Sequence, residues 1–235
     1  MTKFSIVITT YQRKDGSTPF YLRRAIDSVF NQDYKNFMIF IIGDKYENND
    51  EFVEICSSYD QEKINYENLP FAAERDKYND KNIIWSYGGC YANNYGINKA
   101  VDMGYDYVCH LDHDDEWLPN HLSSLNDAIN RTNSLFLCTK SEYVSGRVLP
   151  QESSNLDIIP FIPRGGRLIH SSTCINFKKL PLRHRNIYEE TGKVGQPGDY
   201  DLWERIAHYF NERNMEGHIV NKITCKHQEE GYEKR

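Results

Sequence analysis

Two apolar runs set the terms for any fold this chain can adopt. "FSIVITT" (residues 4–10) and "FMIFIIGD" (residues 37–44) are β-branched and apolar without clean alternation. That is the pattern of strands covered on both faces, which belong to the centre of an α/β sheet. Between them, Thr18 and Pro19 stand as N-cap and first helical residue, and Leu22, Ile26 and Val29 recur at i, i+4 and i+7. The spacing predicts a helix ending near Asn31.

The same rhythm continues. A short helix is expected around residues 50–58, and "KINYEN" is a third strand candidate. Residues 70–87, polar with scattered aromatics, read as loop. Gly88 and Gly89 precede a helix whose face holds Ile97, Ala100 and Val101 and which Gly104 stops. "YDYVCHLD" is the next strand, and Pro119 opens a helix carrying Leu122, Leu125 and Ile129. Strand and helix in alternation predict βαβ units in a largely parallel sheet. Farther on, "LFLCTK" and "RLIHSSTCINF" read as strands around a Pro- and Gly-containing loop from Val144 to Gly166. "DYDLWERIAHYF" reads as a helix, with Leu202, Ile206 and Tyr209 on one side and Trp203, Ala207 and Phe210 beside them. "HIVNKITC" gives the last strand, followed by a charged tail, "KHQEEGYEKR".

At 235 residues the chain suits one domain spanning residues 1–235. With 28 basic against 34 acidic residues, its net charge of −6 argues against general binding to nucleic acid or anionic membranes. No apolar run approaches the roughly 20 residues of a membrane span. "MTKFSIVITTYQR" lacks the small-residue cleavage site of a signal peptide, so a cytoplasmic location is expected. Cys56, Cys90, Cys109, Cys138, Cys174 and Cys225 form no CxxC pair and no regular spacing, which points to reduced, mostly buried thiols.

The densest chemistry lies in "CHLDHDDEWLP", residues 109–119. In parallel α/β sheets ligands bind beyond the carboxyl ends of strands, and this stretch follows such an end. Asp112, Asp114 and Asp115 would repel one another without a counter-charge. A hard divalent cation, Mn2+ or Mg2+, resolves that conflict and leaves positions open for phosphate oxygens. Alternation at the strand end would turn Asp112 and Asp114 to one side and His113 to the other. The competing reading is a solvated acidic cap for the following helix, where Asp115 and Glu116 suit the helix dipole.

These residues resemble the family-two glycosyltransferases of the GT-A fold. "FSIVITTYQR", "IIGDKYENND", "GGCYANNYGINKA", "LDHDDEWLPNHL" and "PGDYDLWERIA" match that family's motifs in order, from about residue 4 to residue 210. The resemblance implies a Rossmann-like central, mostly parallel mixed sheet flanked by helices. It also implies a nucleotide-binding half at about residues 1–115 and an acceptor-binding, catalytic-base half at about residues 116–235.

The implied activity is inverting transfer of a sugar from a nucleotide-diphosphate donor, UDP-linked by preference, to a hydroxyl of a glycan or other acceptor. Thr10, Tyr11 and Asp44 match the base-holding positions, where an aromatic stacks and a carboxylate accepts an imide N–H. Arg13 would reach a phosphate, and Asn94 and His113 complete the implied nucleotide-sugar contacts. Asp112 would lie near ribose and metal, Asp114 would bind the metal, and His227 would complete its shell. Asp199 matches the general base, with Asp201 its competitor and helix capping the alternative for both. His170 is a candidate for the acceptor side, and Trp117 and Trp203 are either sugar-stacking walls or core.

The chain departs from the family pattern at Thr9, Gln12, Asn93 and Gly198. Acceptor recognition falls to about residues 140–195, where Gly165, Gly166, Gly192, Gly195 and Gly198 suit movement on donor binding. Two other functions compete. A sugar nucleotidyltransferase would want a glycine-rich basic phosphate loop, which "TTYQRKDGSTPF" lacks. A non-catalytic sugar-nucleotide or glycan-binding module would lack the D-x-D or the distal carboxylate, and both are present.

Overall fold

The computed structural model describes residues 2–228 except 193 and 195; Gly195 and the charged tail from residue 229 onward lie outside them. In chain order the elements are β1 (Phe4–Thr10), α1 (Thr18–Phe30), β2 (Phe37–Gly43), α2 (Asn49–Ser57), β3 (Ile64–Asn68), α3 (Lys81–Tyr87), α4 (Cys90–Asp102), β4 (Tyr107–His110), β5 (Glu116–Trp117) and α5 (His121–Thr132). There follow β6 (Phe136–Tyr143), β7 (Val148–Leu149), β8 (Ile158–Phe161), a 3-10 turn (His170–Ser172), β9 (Thr173–Asn176), α6 (Ile187–Thr191), α7 (Gly198–Glu212) and β10 (Gly217–His227).

One mixed sheet runs in the order β3-β2-β1-β4-β9-β6-β10-β5, with β7 beside β6 and β8 beside β10. The first four strands are parallel. β9 enters antiparallel between β4 and β6. β10 lies parallel to β6 with two register shifts, and β8 and β5 add antiparallel along its other edge.

The lack of alternation in β1 follows from its cover. Ile6 and Ile8 join the core cluster formed with α1, α2 and α5, whereas Val7 joins the cluster formed with α4 and α7. Leu22, Ile26 and Val29 of α1 are fully buried, each worth ~1.5–3 kcal/mol of transfer free energy. On the opposite face α4 lies so close that a Cβ on Gly96 would fall 2.7 Å from Val7 Cγ1 and 3.1 Å from Ile42 Cγ1. All six cysteines are free and buried. Among the described residues no helix is long and apolar enough to cross a membrane.

The structure corrects three expectations. Residues 81–87 are helix α3, capped by Asp80 through Asn82 N and burying Ile83 and Tyr87. The 144–166 loop contains β7 and β8. In "RLIHSSTCINF" the strand begins only at Thr173, because His170–Ser172 forms a 3-10 turn. Two glycines of the 140–195 region and its border are set by packing. A Cβ on Gly165 would run into the Tyr200 ring and one on Gly198 into Cys90 Sγ, so these two glycines serve close approach.

Candidate active site

β1 leads through α1 to β2 and then to β3 on one side, while β4 lies on its other side. The strand order therefore reverses between β1 and β4, where α/β sheets open a crevice at their carboxyl ends. A cleft of about 880 Å³ lies there. Its walls include Thr10, Tyr11, Arg13, Asp44, Asp112, His113, Asp114, Asp199 and His227, nine of the ten candidate residues. The tenth, Asn94, is committed elsewhere. Its amide donates to the His184 carbonyl at 2.7 Å and accepts from the His184 N–H at 2.9 Å, so it positions a neighbouring segment.

One end of the cleft is built by β1 and β2. Asp44, directly after β2, is 3% exposed, and Arg75 Nε donates to its Oδ2 at 3.0 Å while Arg75 Nη2 donates to its backbone carbonyl. Burial raises the Asp44 pKa against the pull of Arg75. Asp44 Oδ1 and Thr10 Oγ1 are buried and have no hydrogen-bond partner, which leaves polar atoms ready for a ligand. The Tyr11 ring is partly exposed, with the Arg75 guanidinium 4.9 Å from its centroid and His113 packed edge-on at 5.7 Å. Arg75 and its neighbour Glu74 escaped the sequence reading because they sit in an irregular loop. Glu74 is buried, accepts from Tyr91 N at the start of α4, and is pushed by burial up to about 7.

The acidic turn departs from expectation in two respects. β4 ends at His110, and the Asp115 N–H donates to the Asp112 carbonyl at 3.0 Å to close a turn. A two-residue alternation therefore no longer applies, and His113 lines the same cleft as Asp112 and Asp114. The second departure is that the protein itself balances the crowded charge. Arg13 Nη2 pairs with Asp114 at 2.7 Å, and Arg24 Nη2 donates to the Asp114 carbonyl at 2.6 Å. His170 Nδ1 meets Asp112 Oδ1 at 2.9 Å. Asp115, fully buried beneath the turn, takes His227 Nδ1 at 3.0 Å and Gln228 N at 2.9 Å.

The pKa values follow these contacts. Burial acts to raise Asp112, but His170, then His227 and His113, outweigh it and hold the carboxyl at about 2. Asp115 is pushed by burial up to about 6 despite His227. Burial lowers the His113 pKa more than Asp114 raises it. His227 is raised, since Asp115 overcomes its burial.

A divalent cation fits this wall. Asp112 and Asp114 offer hard carboxylate oxygens. His227 turns Nδ1 to a buried carboxylate, which orients its ring as outer-shell carboxylates orient metal-binding histidines.

Across the cleft, α7 opens with Gly198 and places Asp199 in its first turn. Asp199 accepts from Tyr200 N, at 2.8 Å, and among the described residues no cation pairs with it. Burial raises its pKa against the pull of His170. Asp201 is different. It is 6% exposed, gripped by Arg185 at 2.9 and 3.1 Å and by Arg205 at 2.7 Å. Both its oxygens are therefore committed to holding the helix start. Trp117 and Trp203 are core residues, and the exposed indole in the cleft wall belongs to Trp85 of α3.

Comparison with known proteins accords with this geometry. The profile described as Glycosyl transferase family 2 matches residues 5–192. An uncharacterized glycosyltransferase of Acanthamoeba polyphaga mimivirus is 38% identical over 238 residues, covering 97% of this chain and 95% of that protein. The amylovoran biosynthesis glycosyltransferase AmsB of Erwinia amylovora is 30% identical over 168 residues, covering 69% of this chain and 47% of that protein. Among solved structures, Staphylococcus aureus TarS in complex with UDP has a TM-score of 0.71 at 16% identity, covering 97% of this chain and 60% of that one. A mannosyltransferase of Pyrobaculum calidifontis in complex with GDP-Man and Mn2+ has a TM-score of 0.58 at 10% identity, covering 98% of this chain and 58% of that one. The chain thus spans nearly the whole mimivirus relative but only about three-fifths of the TarS chain, and it has the GT-A fold. With its sequence profile matched over most of its length, the chain belongs to glycosyl transferase family 2.

Proposed function

We propose that this chain is a metal-dependent inverting glycosyltransferase, a single catalytic domain that moves a sugar from a UDP-linked donor to a hydroxyl of a glycan or other acceptor. The observation that carries the reading is the pairing of two unlike carboxylate sets in one cleft: Asp112 and Asp114 on one wall, and on another Asp199, which no cation among the described residues pairs with. The nucleotide falls to the first half of the chain, the base to the second.

Tyr11 offers its ring to the pyrimidine, and the unpartnered Asp44 Oδ1 accepts the imide N–H, which favours uracil. Arg75 keeps that carboxylate in place. Arg13 is close enough to the acidic turn to exchange Asp114 for a phosphate oxygen. Asp112, Asp114 and His227 would hold Mn2+ or Mg2+, which, when bound, supplies Lewis-acid neutralisation of the departing diphosphate. Asp199 takes the proton of the acceptor hydroxyl as its oxygen forms the bond to the anomeric carbon, and the carbon–oxygen bond to the diphosphate breaks on the opposite face. Configuration inverts without a covalent intermediate. Its raised pKa makes Asp199 a stronger base than an ordinary carboxylate.

Calorimetry with UDP, GDP and dTDP in the presence of Mn2+, followed by diphosphate release from a panel of sugar donors, tests the reading. Asp199→Asn should leave UDP affinity unchanged and slow transfer by ~10²–10⁴-fold. Transfer at the wild-type rate would remove Asp199 from its place. Tight UDP binding by the wild type with no turnover across donors and acceptors would make the chain a binding module.

A further inference from the structure

Beside the carboxylate wall lie three histidines that sugar transfer leaves unexplained. His110 ends β4 and is fully buried, His170 opens the 3-10 turn, and His184, 6% exposed, precedes α6. The rings of His110 and His170 stack with centroids 4.2 Å apart, and His184 packs edge-on at 5.9 and 5.5 Å from them. One ring nitrogen of each lies within 4.8 Å of the other two. In all three rings Nε2 is buried and has no hydrogen-bond partner.

The hydrogen bonds at the other nitrogens fix what these Nε2 atoms are. Thr173 Oγ1 spends its proton on the His170 carbonyl at 2.7 Å, so it can only accept from His110 Nδ1 at 3.2 Å. His170 Nδ1 faces the Asp112 carboxylate at 2.9 Å, and His184 Nδ1 lies beside the Gly198 backbone, 4.0 Å from where a Cβ on Gly198 would stand. With Nδ1 of His110 and His170 turned to oxygen acceptors, Nε2 of each ring in its neutral form is the lone pair open to a ligand. Three buried, unpartnered Nε2 atoms then belong to one cluster of rings. A water molecule has two protons for three acceptors, and one shared proton serves two of them. A cation satisfies all three.

We propose that His110, His170 and His184 form a three-histidine site for a borderline divalent transition metal of the zinc class, with a fourth position on the cleft side, where His170 and His184 line the wall. The site is distinct from the hard oxygen donors at Asp112 and Asp114, and it stands whether or not the chain transfers sugar. The Nδ1 partners of His170 and His110, a carboxylate and a hydroxyl oxygen, hold those two rings in the way that outer-shell partners orient metal-binding imidazoles. Tetrahedral ligation needs nitrogens about 3.3–3.5 Å apart, given metal–nitrogen bonds of about 2.0–2.1 Å, so the rings close slightly on loading.

The test uses the full chain stripped by a chelator and titrated with Zn2+ and, separately, Co2+, with metal analysis and the visible Co2+ spectrum as readouts. One equivalent with a four-coordinate Co2+ spectrum is expected. That spectrum should be unchanged in Asp114→Ala, and affinity should fall at least ~100-fold in His184→Gln, verified as folded by circular dichroism. Zinc-edge absorption on the wild type counts imidazoles and holds even if that variant does not fold. Three support the site; fewer than three, a six-coordinate spectrum indifferent to His184→Gln, or no tight binding would overturn it.

Discussion

Replacing Gly96 by alanine sets two opposing effects against each other, and the structure decides between them. Alanine is favoured over glycine inside a helix by ~1 kcal/mol, so propensity alone makes Gly96→Ala stabilising. The new Cβ, however, would lie 2.7 Å from Val7 Cγ1 and 3.1 Å from Ile42 Cγ1, where carbon–carbon contacts settle at ~3.5–4.0 Å. An overlap of roughly 1 Å on fully buried strands forces α4 off the sheet, and overpacking of this kind costs ~1–3 kcal/mol, occasionally more. The predicted balance is a net loss of up to about 2 kcal/mol. At ~2–4 °C per kcal/mol for a chain of this size, the midpoint should fall by up to about 8 °C. Urea unfolding of the wild type, Gly96→Ala, Val7→Ala and the double variant forms a cycle. Removing the Val7 methyls should relieve the overlap, so the two changes should couple favourably by at least ~1 kcal/mol. A Gly96→Ala protein more stable than the wild type, or strict additivity in the cycle, would refute the close approach of α4 to β1.

Three further outcomes follow from the site. Arg75→Ala removes a charge-assisted bond from Asp44 and should weaken UDP binding ~10- to 100-fold, read by calorimetry. Glu74 ionises near 4.5 when unfolded and at about 7 when folded, so the native state keeps its proton longer. Its contribution to stability is whole below pH 4.5 and is lost as pH rises to 7, up to ~3 kcal/mol. Glu74→Gln should match the wild type near pH 4.5 and exceed it above pH 7 in unfolding experiments. Asp201→Asn loosens the grip of Arg185 and Arg205 and should cost ~1–3 kcal/mol, while leaving the acid limb of the pH–rate profile in place. That limb should vanish in Asp199→Asn and lie above that of an ordinary aspartate, since burial raises Asp199.

The elements most visible in the sequence were those whose periodicity is long enough to register. β1 and β2 are seven-residue apolar runs, and α1, α5 and α7 keep an apolar stripe over three or more turns. Helix α3 has seven residues and two buried apolar side chains among polar neighbours, too few to establish a period. The cleft was legible where a residue follows directly on a strand or opens a helix, as Asp44, Asp112 and Asp199 do. It was illegible where a partner comes from far along the chain. Arg75 lies 31 residues from Asp44, and His170 lies 58 from Asp112. The crowded aspartates illustrate the same limit. Sequence shows the repulsion, but the balancing Arg13, His170 and His227 arrive from β1's following loop, the 3-10 turn and the end of β10. Asn94 fits the motif by position, yet its amide is spent on the His184 backbone.

The most direct measurement is a structure of this chain with UDP and Mn2+. The account predicts the uracil against Tyr11 with its imide N–H on Asp44 Oδ1, and the diphosphate beside Asp112 and Asp114. Nucleotide bound away from the crevice between β1 and β4, or an empty crevice at saturating UDP, would contradict it.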